Sequence, residues 1–238
     1  MRYSIKFSKE SGIKFISHLD LAKTLQRIVR RSELPIMYSH GFNPHMAISI
    51  GQPLSVGMYS EGEYMDVDFE EKLSEEFIKE QLNANSPMGI KFSEVVFVLE
   101  KENVKNPPQA MAAVEEADYE IRLKYDRNRN LKEEIHELLK KTQWVTLKKS
   151  KSGEKEVDIK PLVKDFKFSI LTDYLNIKAT IACGSKENLS AQLLAEYIAS
   201  NTTGVDREAF VDIKRKEMYV YFKENRFPLY EFYKQKWH

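Results

Sequence analysis

Apolar residues follow a fixed order of strand-like alternation and helical spacing in the first hundred residues, and this order constrains the fold more than any other feature. Strands of a half-buried sheet alternate polar and apolar side chains, whereas amphipathic helices repeat apolar residues every three to four positions. In chain order the pattern predicts a strand at 2–8, a helix at 18–32, strands at 45–54 and 65–69, a helix at 73–82 and a strand at 90–99. This β-α-β-β-α-β order predicts a ferredoxin-like sandwich of the α+β class.

The pattern recurs in elaborated form in the second half of the chain. Alternating segments and two helical stripes follow residue 114, and Ser152-Gly153 is typical of a hairpin turn. Residues 101–113 contain an Asn-Pro-Pro sequence and little periodicity, which is typical of a linker. We therefore expect two ferredoxin-like domains in tandem, at 1–100 and 114–238, the second ending in an aromatic tail.

Composition excludes several classes of protein. Hydrophobic residues make up 42% of the 238 positions, enough to build a core, so the chain is not disordered. The longest clean apolar run has about five residues, against roughly 20 for a membrane helix, and the N-terminus lacks the apolar region of a signal peptide. The single cysteine, Cys183, excludes an internal disulfide, a Cys-rich zinc site and a self-held iron–sulfur cluster. We expect a cytoplasmic protein without membrane segment, metal or resident cofactor.

The net charge of +1 conceals a basic N-terminal segment. Residues 1–50 carry 8 basic and 3 acidic side chains, whereas residues 51–100 carry 3 basic and 11 acidic ones. On a helical wheel, the apolar residues Leu21, Leu25 and Ile28 occupy one side of the first helix. The opposite side carries Lys23, Arg27, Arg30 and Arg31. Such a row of cations can contact a phosphate backbone, and it can also be an ordinary solvated helix face.

A polar loop at residues 38–45 is the second candidate binding element. Gly41 permits an unusual backbone angle and Pro44 stiffens the exit from the loop. The groups available for hydrogen bonds are the side chains of Tyr38, Ser39, His40, Asn43 and His45. These side chains are typical of a binding site, although a β-turn whose polar side chains bond their own backbone gives the same pattern.

Three chemistries remain open for the histidines His18, His40 and His45. His40 and His45 could bind a metal together with an acid such as Asp20, Glu61 or Glu63, although no compact motif such as H-E-x-x-H is present. His18 and His45 could act as general acid and base in a metal-independent cleavage. All three could instead recognise a base, sugar or phosphate, which is the interpretation we favour. The common phosphate-binding, nucleotide-binding and hydrolase motifs are absent from the sequence.

Glu61 and Glu63 lie two positions apart near the start of a predicted strand, so their carboxylates share a face. They could hold a metal or meet the cations of a partner protein, but a turn is the interpretation we favour for these two residues alone.

Five segments in the N-terminal part of the chain resemble one known family, at 12–21, 27–31, 34–35, 38–45 and 53–57. They look like the bacterial radical-SAM-linked proteins, a family of unknown function. The resemblance implies a radical-SAM enzyme as partner, carried on a separate chain, and points toward modification of RNA or of the ribosome. This chain is not itself that enzyme, because one cysteine cannot provide three thiolates for its cluster.

Three hypotheses follow from the sequence. In the first, the chain is a non-catalytic accessory that binds tRNA, rRNA or another anionic substrate on its basic N-terminal face. In the second, it is an endoribonuclease or hydrolase that uses His18 and His45, which requires the two imidazole rings to share a cleft. In the third, it is a protein-interaction module whose Glu61 and Glu63 contact a basic surface on the partner.

Overall fold

The computed structural model describes residues 1–99, 106–126, 130–150 and 153–237 and has the predicted α+β class. The strands are β1 Arg2–Lys9, β2 Ile48–Gly51, β3 Tyr59–Asp68, β4 Ile90–Phe97, β5 Glu116–Lys124, β6 Val145–Ser150, β7 Gly153–Asp158, β8 Val163–Leu171, β9 Tyr174–Ala182, β10 Asp212–Phe222 and β11 Asn225–Pro228. The helices are α1 His18–Arg31, α2 Glu75–Ala84, α3 Ala110–Ala113, α4 Leu131–Lys140, α5 Ala191–Ser200 and α6 Leu229–Lys236. None of the helices in these ranges has the length and apolar character needed to cross a membrane.

The chain forms two compact units. Unit 1 comprises Met1–Glu115 and Arg215–His238, and unit 2 comprises Glu116–Lys214. The division differs from the predicted domains, because the C-terminal segment belongs with the N-terminal half. Leu229 and Tyr233 of α6 are buried there, and the Tyr233 hydroxyl donates a hydrogen bond of 2.6 Å to the carbonyl oxygen of Pro108.

Unit 1 contains an antiparallel arrangement in the order β4-β1-β3-β2. Tyr3, Ile5 and Phe7 of β1 are fully buried and share one core with the apolar residues of α1 and α2. Helix α1 begins where the sequence predicts, because the Ser17 hydroxyl oxygen accepts a hydrogen bond from the backbone N–H of Asp20. The helix places its four buried apolar residues against the sheet and leaves the opposite side in solvent.

The described part of the predicted linker, residues 106–113, is packed against unit 1. The Arg2 guanidinium donates a 2.6 Å hydrogen bond to the carbonyl oxygen of Pro107, and the N–H of Ala110 donates a 2.7 Å bond to Asp66. Helix α3 lies so close to β2 that a Cβ on Gly51 would come within 3.0 Å of the Ala110 side chain. Residues 101–105 of the predicted linker lie outside the described residues.

Unit 2 follows the element order β5-α4-β6-β7-β8-β9-α5. Its main strands are antiparallel in the order β5-β9-β8, and β6 and β7 form a separate two-stranded hairpin. The residues 151–152 of the predicted hairpin tip lie outside the described residues. Trp144 is buried and stacks on Tyr197 with 5.4 Å between ring centroids.

Burial of Asp66 makes the stability of unit 1 depend on pH. Burial raises the pKa of Asp66 to about 6, against the opposing effects of the Ala110 hydrogen bond and the Arg2 charge. Because the pKa is raised on folding, ionisation is more favourable in the unfolded chain, and the carboxyl group's contribution to stability falls as pH rises from about 4 to about 6. We expect Asp66→Asn to remove this fall. The free energy of unfolding of the variant, relative to that of the unchanged chain, should rise by on the order of 2–3 kcal/mol across the window.

Urea denaturation at half-unit pH steps measures this difference. Glu71→Gln, at an exposed carboxylate of unit 1 that does not affect the pKa of Asp66, serves as the control substitution. A pH-independent difference for Asp66→Asn would contradict the assignment.

Candidate nucleic-acid interface

The exposed side of α1 carries three cations that make no ion pair with any described residue. Lys23, Arg27 and Arg30 are exposed and lie four and then three residues apart, which places them in one row along the helix. Seven residues of helix span about 10 Å. The structure therefore presents a basic row of this length that makes no ion pair within the described residues, with the exposed Asp20 one turn before Lys23. We call these three residues the basic row.

Arg31, the fourth predicted cation, has a different environment. Its guanidinium donates a 2.6 Å hydrogen bond to the carbonyl oxygen of Asn85, the residue that caps the C-terminus of α2. A cation is favourable at that position because the helix dipole leaves partial negative charge on the last carbonyl groups. Arg31 thus links α1 to α2. This hydrogen bond leaves its guanidinium less available to a ligand than the three cations of the basic row are.

The loop at 38–45 is a turn held at its base by backbone pairing. The N–H of Ser39 donates to the carbonyl oxygen of His45 over 2.8 Å, and the His45 N–H donates to the Ser39 hydroxyl oxygen over 2.9 Å. Gly41 has φ of +125°, a backbone conformation that few other residues adopt. Ser39 is therefore a turn-forming residue, as the alternative interpretation of the loop proposed.

The remaining polar side chains of the loop, and one aromatic ring, face solvent. Tyr38, His40, Asn43 and His45 are exposed, and Phe42 is as exposed as in an open chain. Among the described residues, no hydrogen bond or ion pair joins this loop to the cations of α1. The loop and the cations of α1 are thus both exposed, and the segment 34–36 that connects them along the chain is anchored by the buried Leu34 and Ile36.

His18 lies at one end of unit 1. The Lys9 ammonium, at the last residue of β1, donates a 3.3 Å hydrogen bond to the carbonyl oxygen of Ile16, two residues before His18. His18 is the first residue of α1 and is exposed.

His45 lies near the opposite end of the same strand. Two residues after His45, the carbonyl oxygen of Ala47 accepts a 3.0 Å hydrogen bond from the backbone N–H of Asp68. Asp68 is the strand-register partner of Arg2 at the start of β1. Lys9 lies seven residues after Arg2 in β1, and this length of strand spans roughly 20 Å or more. These contacts tie the segments that carry His18 and His45 to opposite ends of β1, which argues against a shared catalytic position.

The carboxylates proposed for partner binding are used within unit 1. Glu63 is 0% exposed, and its Oε1 accepts a 2.9 Å hydrogen bond from Nε of Arg215, a side chain that is also fully buried. Glu61 forms an ion pair with Lys216. The prediction that Glu63 contacts a partner is therefore wrong, because the desolvated carboxylate already has a buried counter-ion. No group of three or more His, Cys, Asp and Glu in the described ranges is arranged to hold a metal.

The Glu63–Arg215 pair lies next to a buried lysine that holds the segment before α1. Lys9 is 1% exposed and donates to the carbonyl oxygen of Lys14 over 3.1 Å, in addition to its bond to Ile16. Burial lowers the pKa of Lys9, and the charge of Glu63 opposes that change. The Lys14 carbonyl oxygen also accepts a 2.8 Å hydrogen bond from Gly57. The segments 12–21 and 53–57 are thus brought together at this end of unit 1.

An exposed apolar cluster covers the same end, and sequence reasoning missed it. The cluster comprises Phe15, Val56 and Met88, all more than half exposed. The Lys14–Gly57 hydrogen bond places Phe15 beside Val56, and Gly89, next to Met88, lies against Ile13. These residues belong to no alternating or helical stripe of apolar positions, so the sequence pattern did not indicate that they form a surface.

Unit 2 contains a cavity of about 250 Å³ between the end of β5, one face of α5 and residues 205–211. Lys124 and Asp206 form a 2.9 Å ion pair in its wall. No motif in the sequence predicted this cavity.

Comparison with known proteins yields one family match. The family model described as "Uncharacterized protein conserved in bacteria (DUF2344)" matches residues 2–191. No curated protein matches the chain. A crystal structure of an unknown protein from Galdieria sulphuraria is similar to the chain at 9% identity, covering 90% of this chain and 96% of that one, with a TM-score of 0.24.

Breaking the Glu63–Arg215 pair should strongly destabilise the protein. Glu63→Leu or Arg215→Met leaves one buried charge without a counter-ion, and we expect each to lower the free energy of unfolding by about 3–5 kcal/mol. The double variant Glu63→Leu/Arg215→Met should be less destabilised than the sum of the single variants, because neither charge remains.

Urea denaturation of the four proteins measures these values. Glu61→Gln is the control, since its exposed pair with Lys216 should contribute about 1 kcal/mol or less. A loss below about 1 kcal/mol for both single variants would show that the buried pair does not hold unit 1 together.

Proposed function

The chain belongs to the DUF2344 family of uncharacterized proteins conserved in bacteria, and from this premise we propose that it is a non-catalytic accessory protein that binds RNA. The basic row on α1 carries this proposal. Three cations at helical spacing, without carboxylate partners in the described residues, can each neutralise a phosphate and release counterions.

The loop at 38–45 supports single-stranded or looped RNA as the ligand. The exposed ring of Phe42 can stack on a base, and the side chains of His40 and Asn43 can bond base edges or a 2′-hydroxyl. Structured tRNA and rRNA offer unpaired bases beside closely spaced phosphates. The basic row then supplies most of the affinity and the loop contributes to selectivity.

We propose that the RNA is presented to a radical-SAM enzyme on a separate chain. This part rests on the resemblance of the five N-terminal segments to the radical-SAM-linked proteins. Cys183, the chain's one cysteine, is buried and cannot hold the cluster that such chemistry requires. The partner enzyme would carry the chemistry, and this chain would bind and orient the substrate.

We also propose that both units are variants of the ferredoxin-like fold. Unit 1 has the element order β-α-β-β-α-β and the strand order β4-β1-β3-β2. Unit 2 has a related order with the β6–β7 hairpin inserted before β8.

Charge reversal on the basic row tests the RNA proposal. We expect Lys23→Glu/Arg27→Glu/Arg30→Glu to weaken binding of fluorescently labelled tRNA and of a labelled rRNA fragment. The slope of log binding constant against log salt should fall by about 2, because up to three phosphate contacts are lost. Anisotropy titrations from low to moderate salt measure both values.

A matched triple variant provides the control. Lys91→Glu/Lys132→Glu/Lys186→Glu changes the net charge by the same amount at exposed lysines elsewhere. Equal losses in the two triple variants would mean that only overall charge matters. Absence of binding by the unchanged chain at low salt would refute the proposal.

The apolar cluster at Phe15 and Val56 is the surface we propose for the enzyme partner, in place of Glu61 and Glu63. Exposed contiguous apolar side chains favour protein contacts, and most members of this cluster are aliphatic and cannot stack on bases. Phe15→Ser/Val56→Ser should reduce co-purification of a co-expressed radical-SAM enzyme at least tenfold and leave tRNA binding unchanged.

Val145→Ser/Leu147→Ser, at comparably exposed residues of β6, is the control for that pull-down. Retention of the enzyme by the Phe15 and Val56 variant would exclude this surface. A chain that retains the enzyme and binds no RNA would be a protein-interaction module alone.

A further inference from the structure

Strand β8 ends the strand order of unit 2 with one edge unpaired. The order β5-β9-β8 places β9 on one side of β8, and no described residue makes a backbone hydrogen bond to its other side. Most of its nine side chains are exposed, including Ile170 and Leu171. The strand contains no proline, and its pairing irregularity is confined to its start, between Val163 and Asp165. Such an edge is competent to add another strand.

The β8–β9 turn identifies which backbone groups face outward. Leu171 pairs with Tyr174 across the two-residue turn at Thr172 and Asp173. In a hairpin of this kind the closing pair exchanges hydrogen bonds, and the pattern then alternates along the strand. Odd-numbered residues of β8 therefore direct their N–H and C=O groups toward β9. The backbone groups of Phe166, Phe168 and Ile170 point to the open edge.

The side chains of β8 make this edge complementary to itself in one antiparallel register. When Phe166 faces Phe166 of a second copy, Asp165 of each strand lies opposite Lys167 of the other. Sliding the strands by one residue each, so that Lys167 faces Lys167, opposes like charges and is disfavoured. Both charged side chains are well exposed, at 52% for Asp165 and 75% for Lys167, and within one strand they form a 2.9 Å ion pair with each other. The first register adds two cross-strand contacts between opposite charges to the pair within each strand, whereas the second places two lysines face to face, so the first is favoured.

We propose that the protein forms a homodimer by antiparallel pairing of β8 with β8 of a second copy, centred on Phe166. The open backbone groups of Phe166 would exchange two hydrogen bonds across the two-fold axis, and those of Phe168 in each copy would be available to extend the ladder on either side. A second copy fits this edge better than an unrelated strand, because the charges on β8 complement each other under two-fold symmetry. The proposal concerns unit 2 and does not depend on RNA binding by α1.

A charge swap on the full-length chain tests the dimer. Asp165→Lys and Lys167→Glu each place like charges opposite one another, and we expect each to weaken dimerisation about tenfold, since two cross-strand pairs are lost. The double variant Asp165→Lys/Lys167→Glu restores the pairs in reversed order and should recover dimerisation. Sedimentation velocity over a wide concentration range measures the change, and circular dichroism confirms that these surface variants are folded.

Cysteine cross-linking tests the register. Asp165→Cys/Lys167→Cys should form disulfides between copies under mild oxidation, because its positions face each other in the proposed pairing. Asp165→Cys/Ser169→Cys, whose positions face each other only in the disfavoured register, should not. A chain that is monomeric at all concentrations, a dimer indifferent to the charge swap, or cross-linking through position 169 would each overturn the proposal.

Discussion

The buried ion pair between Glu63 and Arg215 is the interaction on which unit 1 depends. Transferring both charges out of water is costly, and only close, multiple hydrogen bonds between them offset that cost. Arg215 supplies those bonds from a position 152 residues along the chain. The pair therefore fixes where the C-terminal segment joins unit 1. Lys9, buried beside it, holds the segment that leads into α1, so the position of the basic row follows from the same buried charges.

Local periodicity in the sequence predicted the elements whose two faces meet different environments. β1 alternates because one face packs on α1 and the other does not, and α1 shows a clear stripe because only one side reaches the core. Strand β8 was not predicted, although Phe166, Phe168 and Ile170 alternate with polar residues, because no residue of the strand is fully buried and its apolar side is short. Residues 106–113 resembled a linker because their contacts, such as the bond from Ala110 to Asp66, join positions distant in sequence.

In the candidate site, too, features that depend on one segment were predicted, and features that depend on contacts between residues distant in sequence were not. The basic row is a property of one helix, and a helical wheel was sufficient to find it. The role of Glu63 depends on Arg215, and no local pattern distinguishes a buried carboxylate with a distant counter-ion from a solvated one. The separation of His18 from His45 likewise follows from strand register, which side-chain types alone do not define. The apolar cluster forms because two loops meet through the Lys14–Gly57 hydrogen bond.

Unit 1 is discontinuous in sequence, and this has a consequence for how the protein is made. During synthesis, every residue of unit 2 leaves the ribosome before Arg215 does. Until then, the nascent N-terminal half contains Glu63 without its counter-ion, and the surface later covered by α6 remains open to water. Domains generally fold as units as they emerge. The inserted unit can therefore reach its final structure while the flanking unit waits for its last strand and helix, and the N-terminal half is the part most in need of protection from aggregation at the ribosome.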